Sequence, residues 1–240
     1  IDCYSYISRF YTRLQQNHKA GSTYSYAGFD QLVAVSSGII RHFLAPAQEM
    51  YSLAITELGA NEDNITSIKP SIQDEVIKKY SNNYLVGEFE KLKKDIDNNN
   101  TRQIQLEKLY RMIDSLGQLF HLQLTSNSSE RRVFSVAITD TPDDEMNEII
   151  DMGEQLGYFH KSTIGNKTGT GRNRLIILSR ILAPHFKLDA TSFAGYKFMD
   201  SAKLRMAMID TKRFLAQFKF TEDDSSSATQ LLLFDGNNPI

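Results

Sequence analysis

The chain has 240 residues, a formal net charge of -2 and a single cysteine, and these values exclude several classes of protein. A nearly neutral chain has no global field that would drive it onto a polyanion, so a nucleic-acid contact has to come from a local basic patch. The lone thiol of Cys3 cannot form an internal disulfide, which favours a reducing compartment and predicts a cytoplasmic protein. The longest apolar runs are far shorter than the roughly 20 residues that span a bilayer, so no membrane partner is expected.

The first 60 residues predict a helical unit. The chain begins with Ile1 rather than Met, and Asp2–His18 has the apolar spacing of a helix with no preceding cap. We therefore expect the carboxy-terminal, non-catalytic part of a larger multidomain protein. Another helix is predicted before Ser36-Ser37-Gly38, and a third runs from there toward Leu58. The polar, irregular segment 61–70 then favours a domain boundary.

Two long amphipathic helices are predicted next. Apolar residues recur at helical spacing from Val76 to Ile96, and again from Leu106 to Leu124, with Asn98-Asn99-Asn100 between the two runs. Each run leaves most of its charged residues on the opposite side. The two apolar stripes should therefore pack against each other.

The segment after these helices has the order of a winged helix-turn-helix module. Residues 134–138 alternate in the manner of a half-buried strand, and Thr141-Pro142-Asp143 starts a helix that Gly157 ends. Two strand-like runs, Tyr158–Thr163 and Arg174–Leu178, are joined by a turn with three glycines and two asparagines. A strand, a helix and a glycine-tipped hairpin, all preceded by a long helix, predict a winged-helix domain whose wing is the hairpin.

The last part of the chain completes the predicted architecture. Lys197–Phe220 is predicted to be a final helix, and an acidic, serine-rich linker then leads to the apolar tail Leu231–Phe234. The fold class is therefore mainly α with a small β component (α+β). We expect a helical unit over residues 1–60, a winged-helix domain with extra long helices over 70–220, and a linker and apolar tail over 221–240.

The sequence contains no complete catalytic motif. A phosphate-binding loop requires Gly-x-x-x-x-Gly-Lys-Ser/Thr, whereas here Lys167-Thr168 precedes Gly169 and a strand comes next. The five histidines show no metal-ligand spacing, and Ser36-Ser37-Gly38 lacks the Gly-x-Ser-x-Gly elbow of a serine nucleophile. An independent enzyme with an unrecognised site has little support.

The basic hairpin is the best functional candidate in the sequence. Lysine and arginine near phosphates give sequence-independent, salt-sensitive nucleic-acid binding. The alternative is a solvated hairpin that is basic without a ligand. The candidate nucleic-acid-binding residues are His160, Lys161, Lys167, Arg172 and Arg174.

The helix before the hairpin argues against binding in the major groove. It carries acidic side chains without a compensating base, and a phosphate-lined groove would repel such a helix. If DNA is bound, the wing rather than this helix has to make the main contact. Otherwise the acidic helix 143–156 binds a basic protein partner. The acidic side chains are Asp143, Asp144, Glu145, Glu148, Asp151 and Glu154.

Two regions resemble AAA+ ATPases of the origin-recognition type, a group that includes bacterial relatives in phage-defence and signalling contexts. Tyr26–Val33 (YAGFDQLV) and Ser36–Leu44 (SSGIIRHFL) are similar to the helical lid of these ATPases. The more specific region consists of Gly157–Lys167 (GYFHKSTIGNK), Gly169–Arg172 (GTGR) and Leu178–Asp189 (LSRILAPHFKLD). Together they cover about half of the chain.

This resemblance implies a role for one arginine. In such ATPases a lid arginine in a Gly-x-x-Arg setting contacts the nucleotide phosphates as a sensor, and Gly38-Ile39-Ile40-Arg41 matches it, with Ile40 where proline is expected. The resemblance also implies that residues 1–60 are a lid remnant and that the missing amino-terminal ATPase core is a partner. The phosphate-binding loop and the acidic metal-binding motif of the family are absent, so we expect no enzyme activity or cofactor in this chain, and ATP with Mg²⁺ in the full-length protein.

Two functions remain open at this point. The first is a regulatory fragment of an AAA+ ATPase whose winged-helix domain contacts nucleic acid, in particular duplex DNA, mainly through the basic wing. The second is a protein-protein interaction or oligomerisation module of a defence or signalling ATPase with no DNA binding. The basic wing favours the first function, and the acidic helix favours the second.

Overall fold

A computed structural model describes residues 26–58, 66–95, 100–125, 133–165, 171–191 and 195–218. The predicted helix at Asp2–His18, the linker and tail of residues 221–240, and Lys167 of the hairpin turn lie outside these ranges. The fold is mainly helical with one four-stranded sheet, so the predicted fold class is confirmed.

The described helices and strands succeed one another in a simple order. The α-helices are α1 (Phe29–Ser36), α2 (Ile40–Leu58), α3 (Pro70–Asn82), α4 (Glu88–Asp95), α5 (Asn100–Thr125), α6 (Asp144–Gln155), α7 (Ser201–Ile209) and α8 (Thr211–Leu215). The strands are β1 (Val133–Ile138), β2 (Phe159–Gly165), β3 (Arg172–Leu178) and β4 (Gly195–Met199). A π-helical turn, Asn83–Gly87, joins α3 to α4, and Arg180–Leu182 form a short 3-10 helix.

The chain divides into two compact units, and the first is helical. This helical unit consists of the described parts of residues 15–98 and 179–192. In it α2 packs against α1 and α3, and the 3-10 helix returns from later in the sequence to pack on α1 and α3. The sequence placed a domain boundary at residues 61–70, which stays a prediction; the helices on its two sides pack together.

The second unit, the sheet unit, consists of the described parts of residues 99–178 and 193–240 together. Its strand order is β2-β3-β1-β4, with β1 antiparallel to β3 and parallel to β4. The long helix α5 packs against β1, α6, α7 and α8 and supplies much of the core, with Leu109, Met112 and Ile113 fully buried. Burial of such side chains contributes about 1.5–3 kcal/mol each, which makes α5 the centre of this unit.

The α6 helix and the hairpin agree closely with the predicted signals. The Asp143 carboxylate accepts a hydrogen bond from the Met146 amide as the N-cap of α6, and Gly157 takes a φ of 81° after its last turn. The hairpin pairs β2 with β3 in register from Phe159 opposite Leu178 to Gly165 opposite Arg172. The predicted strand at 134–138 is β1, and one helix, α6, lies between β1 and the hairpin.

Two sequence predictions for long helices are wrong in detail. The helix predicted from Val76 to Ile96 is interrupted by the π-helical turn, so α3 and α4 are separate α-helices. Lys197–Phe220 is not one helix either, because Lys197 to Met199 belong to β4 and Asp210 has an extended backbone that separates α7 from α8. Asp200 and Asp210 cap these two helices by accepting bonds from the Lys203 and Arg213 amides, a local signal that helical spacing alone does not show.

Two further observations concern the described ranges only. None of their helices has the length and apolar character that crossing a membrane requires. Nor do three His, Cys, Asp or Glu side chains come together there as a metal site would demand.

Candidate functional site

The sensor candidate Arg41 lies in the first turn of α2, directly after a tight turn. Ser37 and Gly38 both have positive φ angles, 52° and 77°, so the chain reverses sharply between α1 and α2. The Ile39 amide donates to the Ser36 carbonyl at 2.9 Å, which closes this turn. Arg41 is therefore at the amino-terminal end of a 19-residue helix, where the helix dipole favours anions.

Two tyrosines from α3 and the π-helical turn lie close to the Arg41 side chain. The guanidinium lies close enough to the Tyr80 and Tyr84 hydroxyls to oppose the effect of burial on the pKa of both. The buried His42 supports both rings, since its Nδ1 lies 3.1 Å from the Tyr80 hydroxyl and its ring packs edge-on against Tyr84 at 4.7 Å between centroids. The sequence assigned Tyr80 and Tyr84 to an apolar helix stripe and so missed their hydroxyl groups.

These phenols remain neutral at ordinary pH. Burial raises the pKa of Tyr84 to about 12, and burial also raises the pKa of Tyr80, although Arg41 opposes both shifts. Two neutral hydroxyls can orient a guanidinium without cancelling its charge. Within the described ranges no ion pair joins exposed Arg41 to a carboxylate. The arginine therefore retains a full positive charge and N–H donors that fit an anionic phosphate.

The turn before Arg41 is held by a segment from much later in the sequence. We call residues 179–191 the return segment; they include most of the LSRILAPHFKLD sequence. The Arg180 amide donates to Ser37 Oγ at 3.1 Å, and the His185 amide donates to Ser81 Oγ at 3.1 Å. The buried Tyr26 hydroxyl donates to the Leu188 carbonyl at 2.7 Å. The return segment is thus part of the framework that fixes the turn before Arg41.

The basic hairpin has a different electrostatic environment from the one expected. Lys161 Nζ is 2.9 Å from an Asp151 carboxylate oxygen and 2.6 Å from one of Glu154, so two acids on α6 compensate its charge. The hydrogen bonds to Glu154 and then to Asp151 raise the pKa of Lys161, which stays protonated. Arg174 is exposed and donates to the neutral Asn147 amide oxygen. Exposed Arg172 lies opposite Gly165, near the tip.

His160 does not project from the hairpin as expected. The side chain is half-buried, and its Nε2 atom is buried without a hydrogen-bond partner in the part of the chain that the structure describes. Its neighbour Phe159 is fully buried, and alternation along β2 places the two side chains on opposite faces of the sheet. Among the predicted basic residues that the structure describes, Arg172 and Arg174 are exposed and form no ion pair with another described residue.

The acidic helix α6 is compensated within the chain, which corrects the sequence interpretation. Arg205 of α7 pairs with Asp143 and Glu145, and Lys108 of α5 also pairs with Glu145. The pKa of Asp143 is lowered first by the Met146 amide and then by Arg205. The expectation of an acidic face without a compensating base is therefore wrong for four of the six acids, Asp143, Glu145, Asp151 and Glu154. The bases lie on other elements, far away in sequence, where helix spacing cannot reveal them.

A model of the ORC-CDC6-like family matches residues 1–198 of the chain. This range contains the turn before Arg41, the hairpin and the return segment. Comparison with curated proteins gave no match, and comparison with solved structures gave none either.

Proposed function

Because the chain belongs to the ORC-CDC6-like family of AAA+ ATPase relatives, we propose that its sheet unit is a winged-helix domain that binds duplex DNA through the basic wing. In this proposal the helical unit is the lid that reports the nucleotide state of an ATPase core. The chain itself performs no hydrolysis. It regulates the ATPase of which it is part.

One observation carries the proposal for DNA: the charges of α6 are compensated inside the chain, while Arg172 and Arg174 remain exposed on the wing. An acidic helix beside the wing was the main electrostatic argument against a phosphate backbone. Lys108, Lys161 and Arg205 pair with four of its six acids and so reduce that repulsion at short range. The exposed charges of Arg172 and Arg174 near the tip of the hairpin then favour an anionic partner.

The wing arginines have a spacing that suits a phosphate backbone. Arg172 and Arg174 are two positions apart on β3, so their side chains leave the same face of the sheet about 6–7 Å apart. On the β2 side, Arg174 is opposite Thr163 and Arg172 is opposite Gly165, so neither has a bulky neighbour on that strand. Contacts of this kind position a protein on a duplex without reading its sequence.

For the helical unit, we propose that Arg41 contacts the phosphates of ATP held by an ATPase core with Mg²⁺. Bound ATP supplies the negative charge that the arginine senses. Arg41 is exposed in the first turn of α2, close to the hydroxyls of Tyr80 and Tyr84. The ATPase core is thus the expected partner of this surface.

The test of DNA binding is a salt titration with a fluorescent duplex. We expect binding at low salt, with a slope of log K against log salt that falls by about 0.9 for each phosphate contact removed. Arg172→Gln together with Arg174→Gln should lower the slope by about 1.8 if both side chains contact phosphates. Lys161→Gln should change it less, because two carboxylates already compensate that lysine.

The matched control for these substitutions is Arg213→Gln. Arg213 is 78% exposed on α8 and is not part of the hairpin. It should leave the slope unchanged. Absence of salt-dependent binding, or a double hairpin variant that binds like the parent chain, would contradict the DNA function.

A second candidate is a protein-protein interaction module of a defence or signalling ATPase, and an apolar surface on the helical unit favours it. Phe29, Val33, Ile40 and Leu44 of α1 and α2 are all well exposed, with Ile40 at 73%. Exposed apolar residues that cluster on neighbouring helices often mark a protein contact. If the duplex does not bind at low salt, this function replaces the first, and Leu44→Ser should weaken association with the ATPase core in sedimentation.

A further inference from the structure

One amide side chain on α6 contacts an exposed arginine of the wing. Arg174 Nη1 donates a hydrogen bond to Asn147 Oδ1, across 27 residues of sequence. We infer that Asn147 is a positioning residue, which orients the Arg174 guanidinium toward a phosphate without compensating its charge. The inference rests on the proposed DNA function of the wing. Neither the sequence pattern nor the family resemblance singled out this asparagine.

The Asn147 side chain is itself fixed by the start of α6. The residue is half-buried, and its Nδ2 atom donates to the Pro142 carbonyl at 3.2 Å. Its backbone amide donates to the Asp143 carbonyl at 3.0 Å, within the first turn of the helix. A side-chain amide has a donor end and an acceptor end, so use of the nitrogen on Pro142 leaves the oxygen for Arg174. Asn147 therefore presents a fixed acceptor to β3.

Asn147 interrupts a row of acids along one side of α6. Asp143, Asn147 and Asp151 are four positions apart, so their side chains follow one another along the helix. The side chains that contact this row are, in order, Arg205 on Asp143, Arg174 on Asn147 and Lys161 on Asp151. The two outer bases thus meet a carboxylate, whereas Arg174 meets a neutral amide of nearly the same shape.

The neutral partner leaves the charge of Arg174 available. Lys161 Nζ lies 2.9 and 2.6 Å from carboxylate oxygens of Asp151 and Glu154, which compensate its charge. Arg174 is exposed and, within the described ranges, forms no ion pair with a carboxylate. A guanidinium has five N–H donors, and the bond to Asn147 uses one of them. The other donors and the positive charge can bind a phosphate.

Contact with α6 also restrains Arg174 before a duplex binds. A long side chain loses rotamer freedom when a ligand fixes it, and this loss weakens binding. Because Asn147 ties the guanidinium to a helix, part of the loss occurs on folding rather than on binding. The contact should therefore improve the affinity for DNA while it preserves the charge.

The first experiment is the salt titration of duplex binding with two variants of Asn147. Asn147→Asp keeps the shape and places a carboxylate against Arg174, so the slope of log K against log salt should fall in magnitude by about 0.9, the value for one phosphate contact. Asn147→Ala removes the acceptor without adding charge, so it should keep the parent slope and weaken binding about threefold at fixed salt. A merely structural role predicts the reverse order, because alanine removes more of the side chain than aspartate does.

The matched control is Gln155→Glu, which adds the same charge to the same helix. Gln155 is exposed and is the last residue of α6, about 12 Å further along the axis than Asn147. This variant should keep the parent slope, because salt screens a charge over such a distance. If it lowers the slope as much as Asn147→Asp does, the effect is one of general charge and the role of Asn147 is wrong.

The second experiment observes Arg174 by NMR in the chain without DNA. Asn147→Ala should shift the Arg174 Nε–Hε resonance and lower its order parameter, whereas Gln155→Glu should do neither. An Arg174 resonance that keeps its shift and its order in Asn147→Ala would overturn the positioning role.

The DNA function and the positioning role can fail separately. If the parent chain binds no duplex at low salt, the DNA function fails and the role of Asn147 falls with it. If Arg174→Gln lowers the slope and Asn147→Asp keeps the parent value, the DNA function stands and the positioning role is wrong. Circular dichroism of every variant confirms that the helices remain folded.

Discussion

The two units of this protein hold their functional segments in place by different interactions. In the helical unit, the return segment is held by hydrogen bonds: the buried Tyr26 hydroxyl donates to its backbone, and two of its amides donate to the hydroxyls of Ser37 and Ser81. In the sheet unit, α6 is held over the hairpin by close apolar packing and by surface ion pairs such as Lys161 with Glu154. Hydrogen bonds in the helical unit require a particular orientation of donor and acceptor. Packing and ion pairs in the sheet unit depend on the distance between groups and on the sign of their charges.

This difference has consequences for which segment tolerates change. A buried hydrogen bond contributes about 0.5–1.5 kcal/mol net, and an unsatisfied buried partner costs more, so the return segment has one well-defined position. An exposed ion pair contributes little and is screened by salt. The charges at the hairpin can therefore be exchanged for contacts with a ligand at low cost, which suits a binding surface.

The largest expected effect comes from the packing of α6 on β2. In Gly153→Ala the new Cβ would lie 2.4 Å from Phe159 Cδ2 and 3.0 Å from Leu109 Cδ1, and both side chains are fully buried. Overpacking of this kind costs about 3 kcal/mol at its upper end, and alanine recovers about 1 kcal/mol of helix propensity. We expect a net loss of about 2 kcal/mol in urea unfolding.

The matched control for this substitution is Gly87→Ala in the helical unit. Its Cβ would meet the amide end of the exposed Asn83 side chain, which can rotate away. The free energy of unfolding should stay within about 0.5 kcal/mol of the parent value. Equal losses in the two variants would show that side-chain mobility does not distinguish the two sites.

The next effect in size concerns the return segment. Tyr26→Phe removes the hydroxyl that donates to the Leu188 and Ala183 carbonyls at 2.7 and 3.2 Å. Burial raises the pKa of Tyr26, so the hydroxyl stays a donor across the accessible pH range. We expect a loss of about 1 kcal/mol and faster amide exchange at Leu188, whose amide donates to the Ala183 carbonyl. Unchanged exchange would mean that apolar packing alone holds the segment.

Local signals made much of the fold predictable. Alternation of apolar residues predicted β1, and an N-cap with a closing glycine predicted α6. The glycines between residues 165 and 171 predicted the hairpin. In the helical unit, Ser36-Ser37-Gly38 predicted the break between α1 and α2, since two positive φ angles end a helix. These features depend on interactions between residues a few positions apart, so a local sequence pattern is enough to predict them.

Long-range contacts were not predictable in the same way. Asp143 and Arg205 are 62 residues apart, and neither residue has a local feature that indicates the other. Likewise, the return segment reaches Tyr26 across 162 residues. The strand β4 was hidden because Lys197–Met199 is short and precedes a strongly helical pattern. The site residues remain predictions, and within the described ranges Lys161 is the candidate whose charge has acidic partners.

The smallest expected effect is the pH dependence of the ion pairs around α6. Lys161 lowers the pKa of Glu154 below its usual 4.5, so this stabilising contribution is present above pH 4.5 and is lost as the pH falls through the lower folded value. For Lys161 the pKa is raised above 10.5, so its contribution is present below pH 10.5 and is lost as the pH rises through the higher folded value. Stability should therefore be flat between these limits. The first variant that tests this is Lys161→Gln. In urea unfolding it should remove the loss of unfolding free energy at high pH and part of the loss at low pH. Arg205→Gln should reduce the loss at low pH only partly, because the Met146 amide still lowers the pKa of Asp143. If stability falls at low pH in Lys161→Gln as it does in the parent chain, the ion pair of Lys161 with Glu154 contributes nothing to stability.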